Sequence, residues 1–483
     1  MESTGSLSAR SDEKKLLAEL GIRIPEQVSC GVSDAAEAAA AMPGEKVVVK
    51  VAEPYIAHKT EVGAVRIVGR SEVAATVNEM ASRLSATGFT LSEYVEHDLG
   101  PGSELLLTIR WTPEFGPVVT FGAGGIATEV LSSVAVLAPG ITVDVEAALA
   151  SKNFTPLITG FRNQKAKIER GALRDLLMRA MDFASRHVPH DFAELEINPL
   201  VPSRNGLYAV DTLWREAGDA TAREPRPVGK IARLLAPKSI AVMGVSRSLN
   251  PGRVIVNNLT KAEFAGRIYI VKPGEESVDG IPCVPDVTSL PETVDLLVLS
   301  IAAEQVPDTL DEVIASGRAE SVIVIPGGLG EYSGSETLEL RVKSALAASR
   351  SSASGGPIVN GANCLGIESQ PARVNTVFLP EQKLKSGVET EVPLAIVSQS
   401  GALAVVLRTK LTPFVPRYIV SIGNQIDLTV ADYLEYLSTE RDLDVLAFYV
   451  EGFTPLDGQR WMKLAGEAVR SGRKVILYRA GRT

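Results

Sequence analysis

Apolar and polar positions alternate with three different rhythms along this chain of 483 residues. Up to about residue 215, EKKLLAELG, DAAEAAAAM and EVAATVNEMASRL place apolar residues three and four apart, which predicts helices. Between them KVVVKV, ELLLTIRW and PVVTFG are short apolar runs of strand type. From about 237 to 345 the alternation is close to regular: SIAVMGV, RIYIVKP, LLVLSIA and SVIVIPGG are each followed by a helix-like stretch. Continuous β-branched runs suit strands buried on both faces, and so predict a parallel, doubly wound sheet. The intervening WREAGDATAREPRPVGKIARLLAPK sets Pro225, Pro227 and Pro237 among charges and reads as a linker. After the low-complexity SALAASRSSASGGP, the strand–helix rhythm resumes with PIVNG, PLAIVSQSG, RYIVSIG, VLAFYVEG and KVILYRAG. No short-period repeat is present.

Composition narrows the class. The length suggests roughly three domains of about 150 residues, and 45% hydrophobic residues supply several cores. A net charge of −9 argues against a general nucleic-acid binder, whose phosphate contacts need clustered Lys and Arg. Cys30, Cys283 and Cys364 form no CxxC pattern, and an odd, sparse set fits a reducing cytoplasm. The opening MESTGSLSARSDEKK lacks the apolar core of a signal peptide, and no run approaches the length that spans a bilayer. A cytoplasmic, multidomain α/β protein without a membrane or nucleic-acid partner is expected.

Four stretches carry candidate chemistry. In AVMGVSRSLNPG, Gly244, Ser246 and Gly252 occupy the turn after a strand and before a helix, where free N–H groups face an anion. The turn is not GxGxxG, because Ser246 replaces the second glycine. Lys272 ends the next strand where an NAD-binding domain would carry Asp or Glu; a cation there suits a phosphorylated ribose, as in coenzyme A or NADP. A surface lysine on an ordinary flavodoxin-like domain is the plainer alternative. In the third block, NGANCLG (Asn363, Cys364, Gly366) and VSQSGALAVVL (Ser398, Gln399, Ser400, Gly401) are two further turns able to cradle a phosphoryl group, with simple helix capping as the alternative. In FAELEINPLVPSRNGLYAVD, Glu194, Glu196 and Asn198 share one face of a strand and Asp211 ends the next, an oxygen set that suits Mg²⁺ or merely an acidic hairpin. Upstream, Lys50 in VVVKV can reach a nucleotide phosphate, and Gly122, Gly124 and Gly125 of FGAGG can form a loop over it.

Together these motifs resemble the NDP-forming acyl-CoA synthetases, relatives of succinyl-CoA synthetase and ADP-forming acetyl-CoA synthetase. KVAEPYIAHKTEVGAV, FGPVVTFGAGG and ELEINPL look like their ATP-grasp domain. SIAVMGVSRSLNPG through VIPGG looks like the CoA-binding domain, and GANCLG, VSQSGAL, SIGNQIDLTVADYLEYL and FYVEG look like the ligase domain. The resemblance covers nearly all of residues 14 to 483. It implies an α/β architecture: an ATP-grasp domain at 12–218, a linker at 219–236, a Rossmann-like CoA-binding domain at 237–350 and a flavodoxin-like ligase domain with parallel sheets at 351–483. It also implies an ATP-dependent ligase joining a carboxylic acid to CoA, as a homo-oligomer, through phosphohistidine and acyl phosphate.

Residue by residue, the resemblance gives Lys50 the ATP phosphates, Glu104 the nucleotide site, and Glu93 to Val95 the adenine hinge. Asn198 and Asp211, with Glu196 beside them, would hold Mg²⁺; Gly244, Ser246, Gly252 and Lys272 would bind CoA. Asn363, Ser400 and Gly401 would hold a transferable phosphate, Glu451 would orient a phosphohistidine, and His58 would relay phosphate. His97, His187 and His190 are assigned surface or structural roles. Departures fall at Ala64 and Ala362, where relatives carry glycine and proline, and near Ser133 and Val136, where they carry Asp and Arg. Relatives continue past the VILYRAGRT strand and turn into a loop with the shuttle histidine and a further small ligase domain, so a longer protein is expected. Two other readings remain at this point: a CoA- and nucleotide-binding sensor without turnover, and an NADP-dependent oxidoreductase resting on Lys272 alone.

Overall fold

The computed structural model describes residues 7–52, 62–125, 133–142, 144–218, 225–380 and 390–481. Two compact units divide the chain: Met1–Thr112 with Gly116–Ala220, and Pro113–Phe115 with Thr221–Thr483. Each has its own sheets.

The first unit holds two. A four-stranded antiparallel sheet runs in the order Gln27–Cys30, Phe89–Glu93, Lys46–Val51, Val65–Gly69. Along KVVVKV, Val47, Val49 and Val51 are buried while Lys50 lies on the opposite, less buried face, as the two-residue period requires. The seven-stranded sheet follows the order Ile22–Arg23, Gly206–Ala209, Glu194–Ser203, Leu105–Thr112, Gly116–Ala123, Val134–Leu137, with Thr212–Arg215 also pairing with Glu194–Ser203. Helix Arg170–His187 buries Leu173, Leu176, Leu177, Ala180 and Ala184 in the core of this sheet. That spacing is one helical face.

The second unit contains two further sheets. The first has the order Ser277–Val278, Ile281–Val284, Arg267–Val271, Ser239–Met243, Val294–Leu299, Ala319–Val324, Ile358–Gly361. All its pairings are parallel except the short one between Ser277–Val278 and Ile281–Val284. Val294–Leu299 is buried at every position, as a central parallel strand should be. PIVNG adds its strand to this sheet rather than to the next, so the sheet runs past the boundary expected at 350. The last sheet is ordered Val374–Asn375, Ile367–Ser369, Phe414–Ser421, Thr390–Ser398, Val445–Val450, Lys474–Arg479. It is mixed, not wholly parallel: Ile367–Ser369 runs antiparallel to both of its neighbours. Among the described residues no helix is long and apolar enough to cross a membrane.

Candidate functional site

In the first unit, five separate segments meet around Lys50. Its ammonium donates to the Val210 carbonyl at 3.0 Å and lies 3.9 Å from the exposed Asp211 carboxylate. Asn198 donates its backbone N–H to the Asp211 carbonyl at 3.1 Å, and its side-chain oxygen accepts from Gly125 N–H at 2.9 Å. Gly124 donates to the Glu104 carbonyl at 2.8 Å. A Cβ on Gly125, whose φ is +58°, would come within 1.8 Å of Glu104 Oε2. Glu104, Gly124, Gly125, Asn198, Asp211 and Lys50 therefore form one neighbourhood. Gly122 does not belong to a loop; it sits within the Gly116–Ala123 strand.

The acidic strand divides its residues. Glu196 is half-buried on the same face as Asn198, whereas Glu194 is drawn to Arg215 at 3.0 Å. Asp211, Asn198 and Glu196 are hard oxygen donors of the kind that fits Mg²⁺. Val95 packs with Val201 and Tyr208 in a small cluster of its own, and His97 Nδ1 lies 2.8 Å from its carbonyl. The Glu93 carboxylate accepts from Glu26 N–H at 3.2 Å. His58 lies outside the described residues.

In the central sheet the chain leaves Ser239–Met243 for a strand on one side, then returns to pair Val294–Leu299 on the other. A crevice opens beyond the carboxyl ends of strands at such a reversal, and Gly244 sits there. Its φ is +92° and a Cβ would lie 2.0 Å from the Ser300 carbonyl; one on Gly252 would lie 2.7 Å from the Gly244 carbonyl. Only glycine allows this approach. Asn250, not singled out by the sequence motifs, ties the turn: it donates to Gly244 O at 2.7 Å and accepts from Ser246 N–H at 3.3 Å and Arg253 N–H at 3.0 Å. It is also the N-cap of helix Pro251–Lys261. Lys272 directly follows the neighbouring strand Arg267–Val271, whose last residue pairs with Met243 at the end of Ser239–Met243. Its ammonium and the exposed Arg247 guanidinium both face Glu275, at 3.8 and 2.9 Å. Arg247 thus joins Lys272 as a second cation beside the turn.

The last sheet repeats the arrangement. Thr390–Ser398 pairs with Phe414–Ser421 on one side and Val445–Val450 on the other. At their carboxyl ends, Gln399 N–H donates to Tyr449 O at 3.1 Å, while the Gln399 side-chain oxygen accepts from the N–H groups of Glu451 and Gly452. Gln399 therefore ties the backbone of Glu451 and Gly452 to the segment that leads into Ser400 and Gly401. Burial first, and then the Glu451 carboxylate, push the Tyr449 hydroxyl above its ordinary range. Ser400 caps helix Gly401–Lys410 by accepting from Leu403 N–H at 3.3 Å, so capping is real here, in a turn that is half-buried. The NGANCLG turn adjoins it: a Cβ on Gly401 would meet Leu365 Cβ at 2.9 Å, and Leu365 N–H donates to Ser421 Oγ at 2.9 Å. Cys364 is buried, which pushes its thiol up to about 12, so it packs and is no nucleophile.

Behind this site runs a buried ion chain that the motifs did not announce. Arg350 donates to both oxygens of Asp427 at 2.7 Å, Arg226 reaches Asp427 and Asp432 at 3.2 Å each, and Arg460 donates to Asp432 at 2.6 Å. Asp457 closes the chain, accepting from Thr429 at 2.9 Å. The ion chain joins the linker residue Arg226 to strand Ile358–Gly361, whose Val359 N–H donates to Asp427 at 2.9 Å, and to helix Val430–Leu437, which carries Asp432.

Comparison with known proteins gives each region a counterpart. Residues 2–214 match the ATP-grasp domain, 238–370 the CoA binding domain and 391–483 the succinyl-CoA ligase like flavodoxin domain. The family resemblance holds. The chain is 28% identical over 478 residues to the ADP-forming acetate–CoA ligase II of Archaeoglobus fulgidus, covering 98% of this chain and 67% of that protein. It is 34% identical over 257 residues to a trans-feruloyl-CoA synthase of an unknown prokaryotic organism, covering 53% of this chain and 35% of that one. Among solved structures, the dinucleotide-forming acetyl-coenzyme A synthetase 1 of Ca. Korarchaeum cryptofilum, in complex with phosphate and ADP, aligns with a TM-score of 0.47 and 30% identity over 52% of each chain. This chain thus spans about two thirds of one relative and about half or less of the others.

Proposed function

We propose that this chain carries the working parts of an ATP-dependent ligase joining a carboxylic acid to CoA, with ADP and phosphate as the other products. A carboxylate is a poor electrophile. Transfer of a phosphoryl group from ATP makes it an acyl phosphate, and attack by the CoA thiol then forms the thioester and releases phosphate. A histidine would carry the phosphoryl group between ATP and the acid as a covalent intermediate; His58 is our candidate within this sequence. Lys50 would neutralise phosphate charge, and Glu104 and the Glu93–Val95 segment would line the nucleotide site. Asn198, Asp211 and Glu196 would hold Mg²⁺, which when bound supplies charge neutralisation at the phosphates. The Gly244–Gly252 turn with Ser246 and Lys272 would take CoA, and Asn363, Ser400 and Gly401 the phosphoryl group. Three free cysteines suit a reducing cytoplasm, and a homo-oligomer remains the proposed assembly.

The observation that supports this most is the meeting of Glu451 with the Ser400 turn through Gln399. An acidic residue anchored through its backbone to the Ser400 turn suits a transient cationic partner such as a histidine. The test is release of ADP and phosphate by the protein from its native source, supplied with ATP, CoA and a panel of carboxylic acids. Release that depends on both acid and CoA is expected, and Glu451→Gln should lower it about 100-fold while CoA binding stays intact. Binding of ATP and CoA without turnover on any acid would give the field to the sensor reading.

A further inference from the structure

Three loops close on one another around Asn363. The first, 326–331, follows strand Ala319–Val324; the second, 361–365, follows Ile358–Gly361; the third, 422–426, follows Phe414–Ser421 of the other sheet. Asn363 N–H donates to Pro326 O at 2.9 Å, which joins the first loop to the second. Asn424 N–H donates to Ala362 O at 2.9 Å and Ile426 N–H to Gly361 O at 2.8 Å, joining the second to the third. Gly423 fits so closely that a Cβ there would lie 2.0 Å from Ala362 O. The triangle is closed by one side chain. Glu331 accepts from the Asn424 amide at 2.5 Å with one oxygen and from Gly328 N–H at 2.7 Å with the other. A Cβ on Gly327 would be 3.2 Å from both the Asn363 side-chain oxygen and Glu331 Oε1, so carboxylate and amide flank the same glycine.

Glu331 is exposed, and its loss opens no core cavity. An exposed carboxylate this near a phosphoryl cradle weakens anion binding by repulsion, a cost that its placement must offset. We propose that Glu331 is a positioning residue of the ligase site: it ties the first loop to the third and so holds the Asn363 amide in place for the phosphoryl group. This rests on the ligase reading given above. Asn363 itself has φ of +52°, a conformation that a non-glycine residue keeps only when its surroundings hold it.

Two variants and two readouts test the assignment. With Glu331→Ala in the native-source protein, kcat is expected to fall about 10- to 100-fold with the KM for ATP unchanged, the loss typical of a misplaced catalytic group. Asn424→Ala should reproduce that loss, and the double variant should add little to either. Glu331→Gln, which keeps an oxygen for the Asn424 amide, should restore part of the rate. A kcat unchanged in Glu331→Ala overturns the proposal. So does a Glu331→Gln variant as slow as Glu331→Ala that has also lost one limb of the pH profile, since that is the mark of a general base. If the wild-type protein ligates no acid at all, the ligase reading fails by itself. Amide hydrogen exchange then decides on Glu331: faster exchange at Gly328, Asn363 and Asn424 in Glu331→Ala upholds the tie between the loops, and unchanged exchange removes it.

Discussion

The Lys50 neighbourhood of the first unit and the glycine and serine turns of the second are built by opposite means. Around Lys50, five sequence segments bring side chains together: an ammonium on a carbonyl, an amide on a glycine N–H, a carboxylate beside the FGAGG glycines. At Gly244 and at Gln399–Gly401, backbone where a parallel strand ends and a helix begins does the placing, with the Asn250 and Gln399 side chains bonded to backbone groups of the turns. A side-chain site can yield when one part changes. A backbone site cannot, because its donors are the fold itself.

The sharpest way to break the second kind is through the ions behind it. Arg350→Ala leaves buried Asp427 without its two-pronged partner, and loss of one member of a buried pair costs about 3–5 kcal/mol. Thermal unfolding of the second unit should show it, and a change below about 1 kcal/mol would mean that Arg226 alone suffices.

The two glycines make the comparison direct. Gly244→Ala drives a Cβ onto the Ser300 carbonyl at a positive φ, and about 3 kcal/mol of stability and CoA binding should go together. Gly125→Ala meets the end of the Glu104 side chain, which can swing away, so about 1 kcal/mol is expected in the first unit. Equal losses at the two sites would erase the distinction.

Asp457 sharpens it through pH. Burial first, and then the charge of Asp432, raise its carboxyl from 3.8 to about 6. Below about pH 4 both folded and unfolded chains hold the proton. Between about 4 and 6 only the folded chain keeps it, so this group's share of stability falls as pH rises, and above 6 the whole cost stands. Asp457→Asn should therefore gain at most about 3 kcal/mol over wild type above pH 6 and nothing below pH 4, read from urea titrations at several pH values. A gain independent of pH would place its cause elsewhere.

The same contrast governs what the sequence made legible. Strand, glycine turn and helix are contiguous, so Gly244, Gly252, Ser400 and Gly401 could be read from short motifs, as could the two-residue alternation that sets Lys50 and Asn198 on their faces. Asn250 was within reach too, since Asn before Pro–Gly at a helix start is an N-cap signal. Glu331, Asn424 and the Arg226–Arg350–Arg460 ladder were not, because each acts across more than 25 residues on a partner that only the fold supplies. Nor was the place of PIVNG legible. An apolar strand fits the edge of either sheet, and pairing with Ala319–Val324 decides it.

The measurement that bears most directly on the account is ligand protection of the second unit. At about 100 times its dissociation constant, CoA should stabilise this unit by about 2.7 kcal/mol against heat and protease, and NADP should leave it unchanged. Gly244→Ala should abolish the effect of CoA. Protection by NADP, with CoA inert, would contradict the assignment of the Gly244 turn and Lys272 and, with it, the ligase.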